Sequence, residues 1–326
     1  MKPLIYMLCL LGLTACVTMT PAQTPVPPTI FGANATSEMI MDDYHGPWII
    51  LNWNDGIILL YKPLKHGTFY WEEPLLGVFE VQSESLQTFT VPDVNSIQYV
   101  RNSATAGQVL YSTNDQIWQF DIESQKRQFI TAGSSFVQAD NGEFICVGRE
   151  SKEIWLVDTS TTEETLLFTL PDEVTSQRGS YVTDLDLSPD FQWLVLGVEN
   201  KEKEADDIYL INLSTREGKL ILSGYITSQA WSPDGKWLIA YQFDPGQPTK
   251  LIVMDPFCGC VAETFLTTDF IGGGYWSSDG STILYSSLWA GETVLHFVNV
   301  ENLFGKPYTD FECQLENSNP IKLVQP

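Results

Sequence analysis

Positive charge and histidine are scarce in this sequence. Its 326 residues hold 17 Lys and Arg against 41 Asp and Glu, a formal net charge of −24, with 3 His. An acidic surface repels phosphates where a binding site needs Lys and Arg, so nucleic acid is excluded as a partner. The histidines, His45, His66 and His296, lie far apart and make no base for a serine triad, and no Gly-x-Ser-x-Gly elbow is present. Metal ligands are equally short. Cys258-Gly259-Cys260 has no second cysteine pair to complete a zinc site, so neither a metal nor a cofactor is expected. No long stretch combines helical periodicity with caps, which argues against a helical body. What is present is core material: 44% of residues are hydrophobic and 12% aromatic, enough for a folded rather than a disordered chain.

The first residues carry Lys2, an apolar run from Leu4 to Leu13, and then Leu13-Thr14-Ala15-Cys16. The run is about ten residues long, too short for the roughly 20 that cross a bilayer as a helix, so it reads as a signal-peptide core. The segment resembles a bacterial lipoprotein signal ending in a lipobox. That resemblance implies cleavage between Ala15 and Cys16 and lipidation of Cys16, with enough acyl chains for stable anchoring. An ordinary secretory signal with an incidental Cys16 is the alternative. Residues 1–15 are thus expected to be removed, and residues 16–30, rich in Pro and Thr, to form an extended tether. Export permits disulfides. Cys146 lies in the apolar run Phe144-Ile145-Cys146-Val147 and is expected as a buried thiol, which leaves Cys258, Cys260 and Cys313. A bridge from Cys258 or Cys260 to Cys313 would staple the C-terminal segment to a neighbouring loop.

A unit recurs along the body. Trp231-Ser232-Pro233-Asp234-Gly235-Lys236-Trp237-Leu238 is repeated in kind at Trp276-Ser277-Ser278-Asp279-Gly280 and at Leu187-Ser188-Pro189-Asp190-Phe191, and its Asp residues step by 44 and then 45 positions. Each copy reads as strand, tight turn, strand: Pro sets φ, Asp bonds back to following amides, and Gly accepts a positive φ. The second strand aligns further back at Gly142–Val147, Gln108–Ser112 and Gly56–Tyr61. A separate register counts third strands with an apolar start and a polar fifth residue: Val78–Gln82, Ile117–Asp121, Ile154–Asp158, Ile208–Asn212, Leu251–Asp255 and Leu295–Asn299. Both registers give six copies.

The Ser-Pro-Asp-Gly-Lys-Trp-Leu strand pair resembles the propeller repeat of TolB and of the propeller domains of prolyl oligopeptidase relatives. The expected fold is therefore all-β, a six-bladed β-propeller of four-stranded antiparallel blades. One domain, 31–326, is expected, with blades at about 46–93, 94–133, 134–174, 181–224, 225–269 and 270–318.

Site candidates are few. Asp184 and Asp186 alternate along one side of a predicted innermost strand, facing the central channel where a cation or sugar would bind. The competing reading has them bonded to turn amides within the fourth blade. Phe69-Tyr70-Trp71 lies in a long insertion of the first blade and is the best candidate for a recognition loop. The run Glu199–Asp207 reads as a solvated hairpin, and Gly272-Gly273-Gly274 as the start of an inner strand at the crowded channel. The whole points to a monomeric, lipid-anchored extracytoplasmic module that binds or scaffolds a protein or peptide partner of the cell envelope, touching the membrane only through its lipid. The alternative is an envelope-associated enzyme acting on glycans or peptides through acids at the channel.

Overall fold

The computed structural model describes the chain from Trp48 to Val300, apart from residues 55–56, 63–74, 92–98, 103–106, 140–141, 143, 150–151, 172–181, 201–204, 244–247, 260, 266–269 and 290–291, and also the strand backbones 35–40 and 320–322. These residues are almost entirely strand and turn. The strands are β1 (Ala35–Ile40), β2 (Ile49–Asn54), β3 (Ile57–Lys62), β4 (Leu75–Glu80), β5 (Ser85–Thr90), β6 (Tyr99–Asn102), β7 (Gln108–Thr113), β8 (Gln116–Asp121), β9 (Lys126–Ala132), β10 (Ser135–Gln138), β11 (Phe144–Arg149) and β12 (Glu153–Asp158). There follow β13 (Glu164–Thr169), β14 (Val182–Leu187), β15 (Trp193–Asn200), β16 (Ala205–Asn212), β17 (Glu217–Trp231), β18 (Leu238–Phe243), β19 (Lys250–Met254), β20 (Val261–Phe265), β21 (Phe270–Trp276), β22 (Thr282–Trp289), β23 (Glu292–Asn299) and β24 (Pro320–Lys322).

Antiparallel pairing gathers them into four-stranded ladders: β2–β5, β6–β9, β10–β13, β14–β17, β17–β20, and β21–β23 with β1. Long β17 serves two of them, pairing with β16 through Ile211↔Gly218 to Asp206↔Gly224 and with β18 from Tyr225↔Phe243 onward. The expected last blade, 270–318, supplies three strands of the sixth ladder, and β1 from the N-terminal side supplies the fourth, with Met39 opposite Leu295. C-terminal β24 instead extends the fourth ladder, pairing with the start of β17.

Alternation explains why the strands look apolar throughout. In β3, Ile58 and Leu60 pack in a cluster with Leu284, Leu295 and Phe297 of the sixth ladder, while Leu59 and Tyr61 pack with Val109, Tyr111 and Phe120 of the second. Neighbouring residues thus serve opposite faces, both buried. The same division holds in β16, where Ile208 and Leu210 face the fifth ladder and Tyr209 and Ile211 the third. Six core clusters each join two consecutive ladders, and the one holding Trp48 and Leu295 joins the sixth to the first, so the ring closes. First strands β2, β6, β10, β14, the second half of β17, and β21 neighbour one another around the inside. Four-stranded antiparallel sheets stacked face to face in a closed ring are a β-propeller.

The polar residue that ends the third strand of the first five ladders has a local job. Asp121, Asp158, Asn212 and Asp255 accept backbone N–H bonds from residues two or three positions on, as at Ser160 (2.7 Å) and Phe257 (2.8 Å), and so close the turn into the fourth strand. In the first ladder the third strand is Leu75–Glu80, and Glu80, bonded to the Ser83 hydroxyl, ends it. The expected segment Val78–Gln82 was two residues out of register, because Gln82 imitates the polar end residue but lies in the turn.

Candidate functional site

The three Ser-Pro-Asp-Gly-type turns are built alike. In each, the Ser hydroxyl donates to the Asp carboxylate (2.6 Å at Ser188, 2.7 Å at Ser232, 2.6 Å at Ser277) and accepts the amide N–H of the residue at the entry to the second strand, Trp193, Trp237 or Thr282. The residue after Asp takes a left-handed φ: 69° at Gly235, 72° at Gly280, and 57° at Phe191. Adjacent turns also touch. A Cβ on Gly235 would lie 3.5 Å from Pro189 of the preceding turn, and one on Gly280 would lie 3.8 Å from Pro233. The motif thus sets the turn geometry, and three such turns lie side by side on one face of the ring.

Aromatic residues bracket these turns. Between the fourth and fifth ladders, Phe257 packs edge-on against Trp193, centroids 5.1 Å apart, and leans on Trp231 at 6.0 Å. Phe257 comes from the turn closed by Asp255, is 37% exposed, and its carbonyl accepts a bond from Lys219 Nζ (2.8 Å). Between the fifth and sixth ladders lies a cleft of about 390 Å³ lined by Asp234, Trp237, Trp276, Ser278 and Asp279 among others. Trp276 is held there by its indole N–H, which donates to the carbonyl of Ala230 (3.2 Å). The Ser277 hydroxyl, then the Ser281 amide and hydroxyl, hold the Asp279 carboxyl down at about 2, so it is a fixed negative charge.

The sequence candidates fare differently. Asp184 and Asp186 both lie on β14, the first strand of its ladder. Asp186 accepts the backbone N–H of Trp231 (2.8 Å), a bond to the next ladder rather than to a turn of its own, and Asp184 Oδ1 accepts the amide of Leu185 (2.9 Å). Cys258 is disulfide-bonded, and Cys260 and Cys313 lie outside the described residues. Ala15, Cys16 and the Phe69-Tyr70-Trp71 segment also lie outside them. His296 is buried on β23, stacked on Tyr285 (4.6 Å) with Nε2 2.7 Å from the Ser287 hydroxyl, and burial pushes its pKa down to about 4.

The run Glu199–Asp207, whose residues 201–204 lie outside the described residues, joins β15 to β16 as a hairpin, but its last residues are not solvated. β15 and β16 continue through Glu199 and from Ala205, and Asp207 is 5% exposed and bonded to the Ser223 hydroxyl. Asp206 rises to about 6, first through burial and then through the neighbouring charges of Glu199 and Asp207, although the Ile226 amide bond opposes the rise. Gly274 has no room for a side chain because the buried ring of Tyr241, on the neighbouring ladder, lies 2.2 Å from where a Cβ would stand. Crowding at this glycine thus comes from the next ladder's side chain. Among the described residues no three His, Cys, Asp or Glu side chains converge to hold a metal ion, and no helix is long and apolar enough to cross a membrane.

The Trp-lined cleft was not foreseen from the sequence, although its residues were in view as repeat positions. Aligning the copies shows the signal: Trp193 and Trp237 share one position, and Trp231 and Trp276 another.

The class defined by this ring is the β-propeller, and solved structures agree. The fold is similar to TolB from Acinetobacter baumannii, with a TM-score of 0.56 at 16% identity over 76% of this chain and 62% of that one. The chain therefore spans about three fifths of the TolB structure's length. It is also similar to the propeller domain of Cps50 (Swd1) from Myceliophteria thermophila, TM-score 0.55 at 10% identity over 82% of this chain and 99% of that one. A third likeness is to an oligogalacturonate lyase from Vibrio parahaemolyticus, TM-score 0.50 at 12% identity over 80% of this chain and 91% of that one. These are likenesses of fold, and they include both a lyase and proteins not named as enzymes. No protein-family model and no curated protein matches the chain.

Proposed function

We propose that this chain is a binding or scaffolding module for a protein or peptide partner at the cell envelope, a six-bladed propeller held to a membrane by lipid on Cys16. The observation that carries the reading is the turn face of the fourth to sixth ladders, where rigid side-by-side turns present Phe257, Trp237 and the ionised Asp279. Aromatic groups on a preorganised surface are what protein recognition uses. The likeness to TolB and to the Swd1 propeller supports it. Asp184 and Asp186, the acids on which the enzyme reading relied, both accept main-chain bonds, one of them between ladders.

The test is a pull-down from native envelope with the body from Phe31 onward, beside a glycan array. Recovery of a saturable protein partner is expected; glycan binding with no protein recovered would refute the scaffold reading. Anchoring is tested separately by Cys16→Ser, which is expected to move the protein from the membrane to the soluble fraction. Persistent membrane association of that variant would overturn the lipid assignment.

A further inference from the structure

We propose that the outer edge of β5, the last strand of the first ladder, takes an added strand from a protein partner: an extended segment with apolar residues three positions apart and Lys or Arg at its ends. This surface is separate from the turn face of the fourth to sixth ladders. It shares with the binding-module reading only the protein nature of the partner.

A strand at the end of a ladder leaves the N–H and C=O groups of alternate residues without a ladder partner, and proteins ordinarily guard such edges with charge, proline, a bulge or a covering segment. Five of the six ladders do so. β9 carries Lys126 and Arg127, β13 Glu164, β20 Glu263 and β1 Glu38. The register also slips where β9, β13 and β1 join their ladders. The outer edge of β17 is covered outright by β24, from Glu217↔Lys322 to Lys219↔Pro320. β5, Ser85-Leu86-Gln87-Thr88-Phe89-Thr90, has none of these: no charged residue, no proline, and an unbroken register with β4 from Leu75↔Thr90 to Glu80↔Ser85. Among the described residues no strand lies on its outer side, and Ser85, Gln87, Thr88 and Thr90 are exposed. One unguarded edge among six equivalent ones marks a position kept open for pairing.

The occupant's chemistry follows from the strand and its surroundings. Pairing of β24 with β17 shows that a ladder of this ring accepts a fifth strand. β5 sends Leu86 toward the core that joins the first ladder to the sixth and Phe89 toward the core that joins it to the second, and both are half-buried. A strand laid alongside continues both faces by placing one apolar side chain beside each, hence apolar residues three positions apart. Charge chooses the flanks. From Gly67 to Val100 the sequence has Glu72, Glu73, Glu80, Glu84 and Asp93 but no Lys or Arg, and Glu80 and Glu84 are exposed on either side of the turn into β5. Cationic flanks suit that field, and β24 likewise sets Lys322 in register with Glu217. A second copy of the chain would bring the same acids to the edge, at a net charge of −24 per chain. The Pro/Thr-rich segment 16–30 is unsuited too, because Pro21, Pro25, Pro27 and Pro28 donate no ladder bond.

The probe is the end-blocked peptide Lys-Thr-Val-Thr-Gln-Val-Thr-Lys, titrated to millimolar concentration into the full chain and followed by hydrogen–deuterium exchange and calorimetry. Slowed exchange confined to Ser85–Thr90 is expected, with affinity falling about tenfold when the peptide's backbone nitrogens are methylated or when Glu replaces its Lys. Thr88→Lys, an exposed change that gives β5 the kind of charge β9 carries, should weaken binding to the same degree while thermal unfolding stays cooperative. Protection spread over other outer strands, undiminished affinity of the methylated or Glu-flanked peptide, or undiminished binding by Thr88→Lys would overturn the proposal. So would a dimer of the chain that Thr88→Lys disperses while the peptide protects nothing, which would give the edge to a second copy. Absence of protection at β5 sinks the edge and leaves the binding-module reading standing. Protection as expected with no envelope protein recovered sinks that reading and leaves the edge.

Discussion

His296 should make this ring sensitive to acid in a way that a single substitution removes. The ring is 3% exposed, stacked on Tyr285 and in contact with the Ser287 hydroxyl, and its pKa falls from 6.5 to about 4 because burial disfavours the imidazolium. In the unfolded chain the same ring protonates near its ordinary value. Between those two pH values the unfolded state binds a proton that the folded state does not. The stability tied to neutral His296 is therefore fully present above about pH 6.5 and drains away as pH falls to about 4. A fall of that size corresponds to about 3 kcal/mol. His296→Phe keeps a ring against Tyr285 but strands the Ser287 hydroxyl, a cost of about 1–2 kcal/mol that does not vary with pH. Thermal unfolding of both proteins from pH 7.5 to pH 4 is the assay. The variant should begin less stable and overtake the native chain near pH 5, the gap moving by about 6 °C at ~2 °C per kcal/mol. Other titrating groups cancel in the comparison. Parallel pH profiles for the two proteins would show that His296 is not held neutral by burial.

Asp206 works in the opposite direction, since its folded pKa of about 6 lies above the ordinary 3.8 and its ionisation is costly once folded. Asp206→Asn keeps an acceptor for the Ile226 amide and should raise the unfolding free energy measured in urea above pH 6 by about 1 kcal/mol after solvent screening, with no gain below pH 4; an equal gain at both would refute the charge argument. Gly274→Ala should cost about 3 kcal/mol because Tyr241 is fully buried and has nowhere to move, and native-like stability in chemical denaturation would contradict that packing. Asp186→Ala should cost about 1–3 kcal/mol by stranding the Trp231 amide, whereas Asp186→Asn should recover most of it; equal losses for the two would show that the carboxylate's charge matters more than its acceptor.

Local chemistry decided what the sequence revealed. Ser-Pro-Asp-Gly turns are legible because their φ values and side-chain bonds admit few residue types, and the polar residue ending each third strand is legible for the same reason. Where the chemistry is looser the reading slipped, as with Gln82 taken for the position that Glu80 fills. Asp184 and Asp186 were placed on the right strand, yet the partner of Asp186 lies 45 residues away on another ladder and leaves no trace near it in the sequence. Pairing of β1 with β23 is illegible on the same ground, for nothing in Ala35–Ile40 specifies Val294 to Val298 as its partner. The packing of Phe257 between Trp193 of one ladder and Trp231 of the next emerges only when ladders are placed side by side. Burial of Asp207 was hidden because a run of charges reads as solvated until a neighbouring strand is laid across it.

The strand that completes the sixth ladder is also the one nearest the N-terminal end of the described chain. Any pull transmitted from that side reaches β1 before it reaches any other part of the ring. Because β1 runs antiparallel along β23, the load is borne first by their ladder of main-chain hydrogen bonds, and parting them would leave the sixth ladder with three strands. Closure of the ring rests on a different contact, the packing of the sixth ladder against the first around Trp48 and Leu295. A chain trimmed to begin after Ile40 would keep that packing while baring the edge of β23 to water.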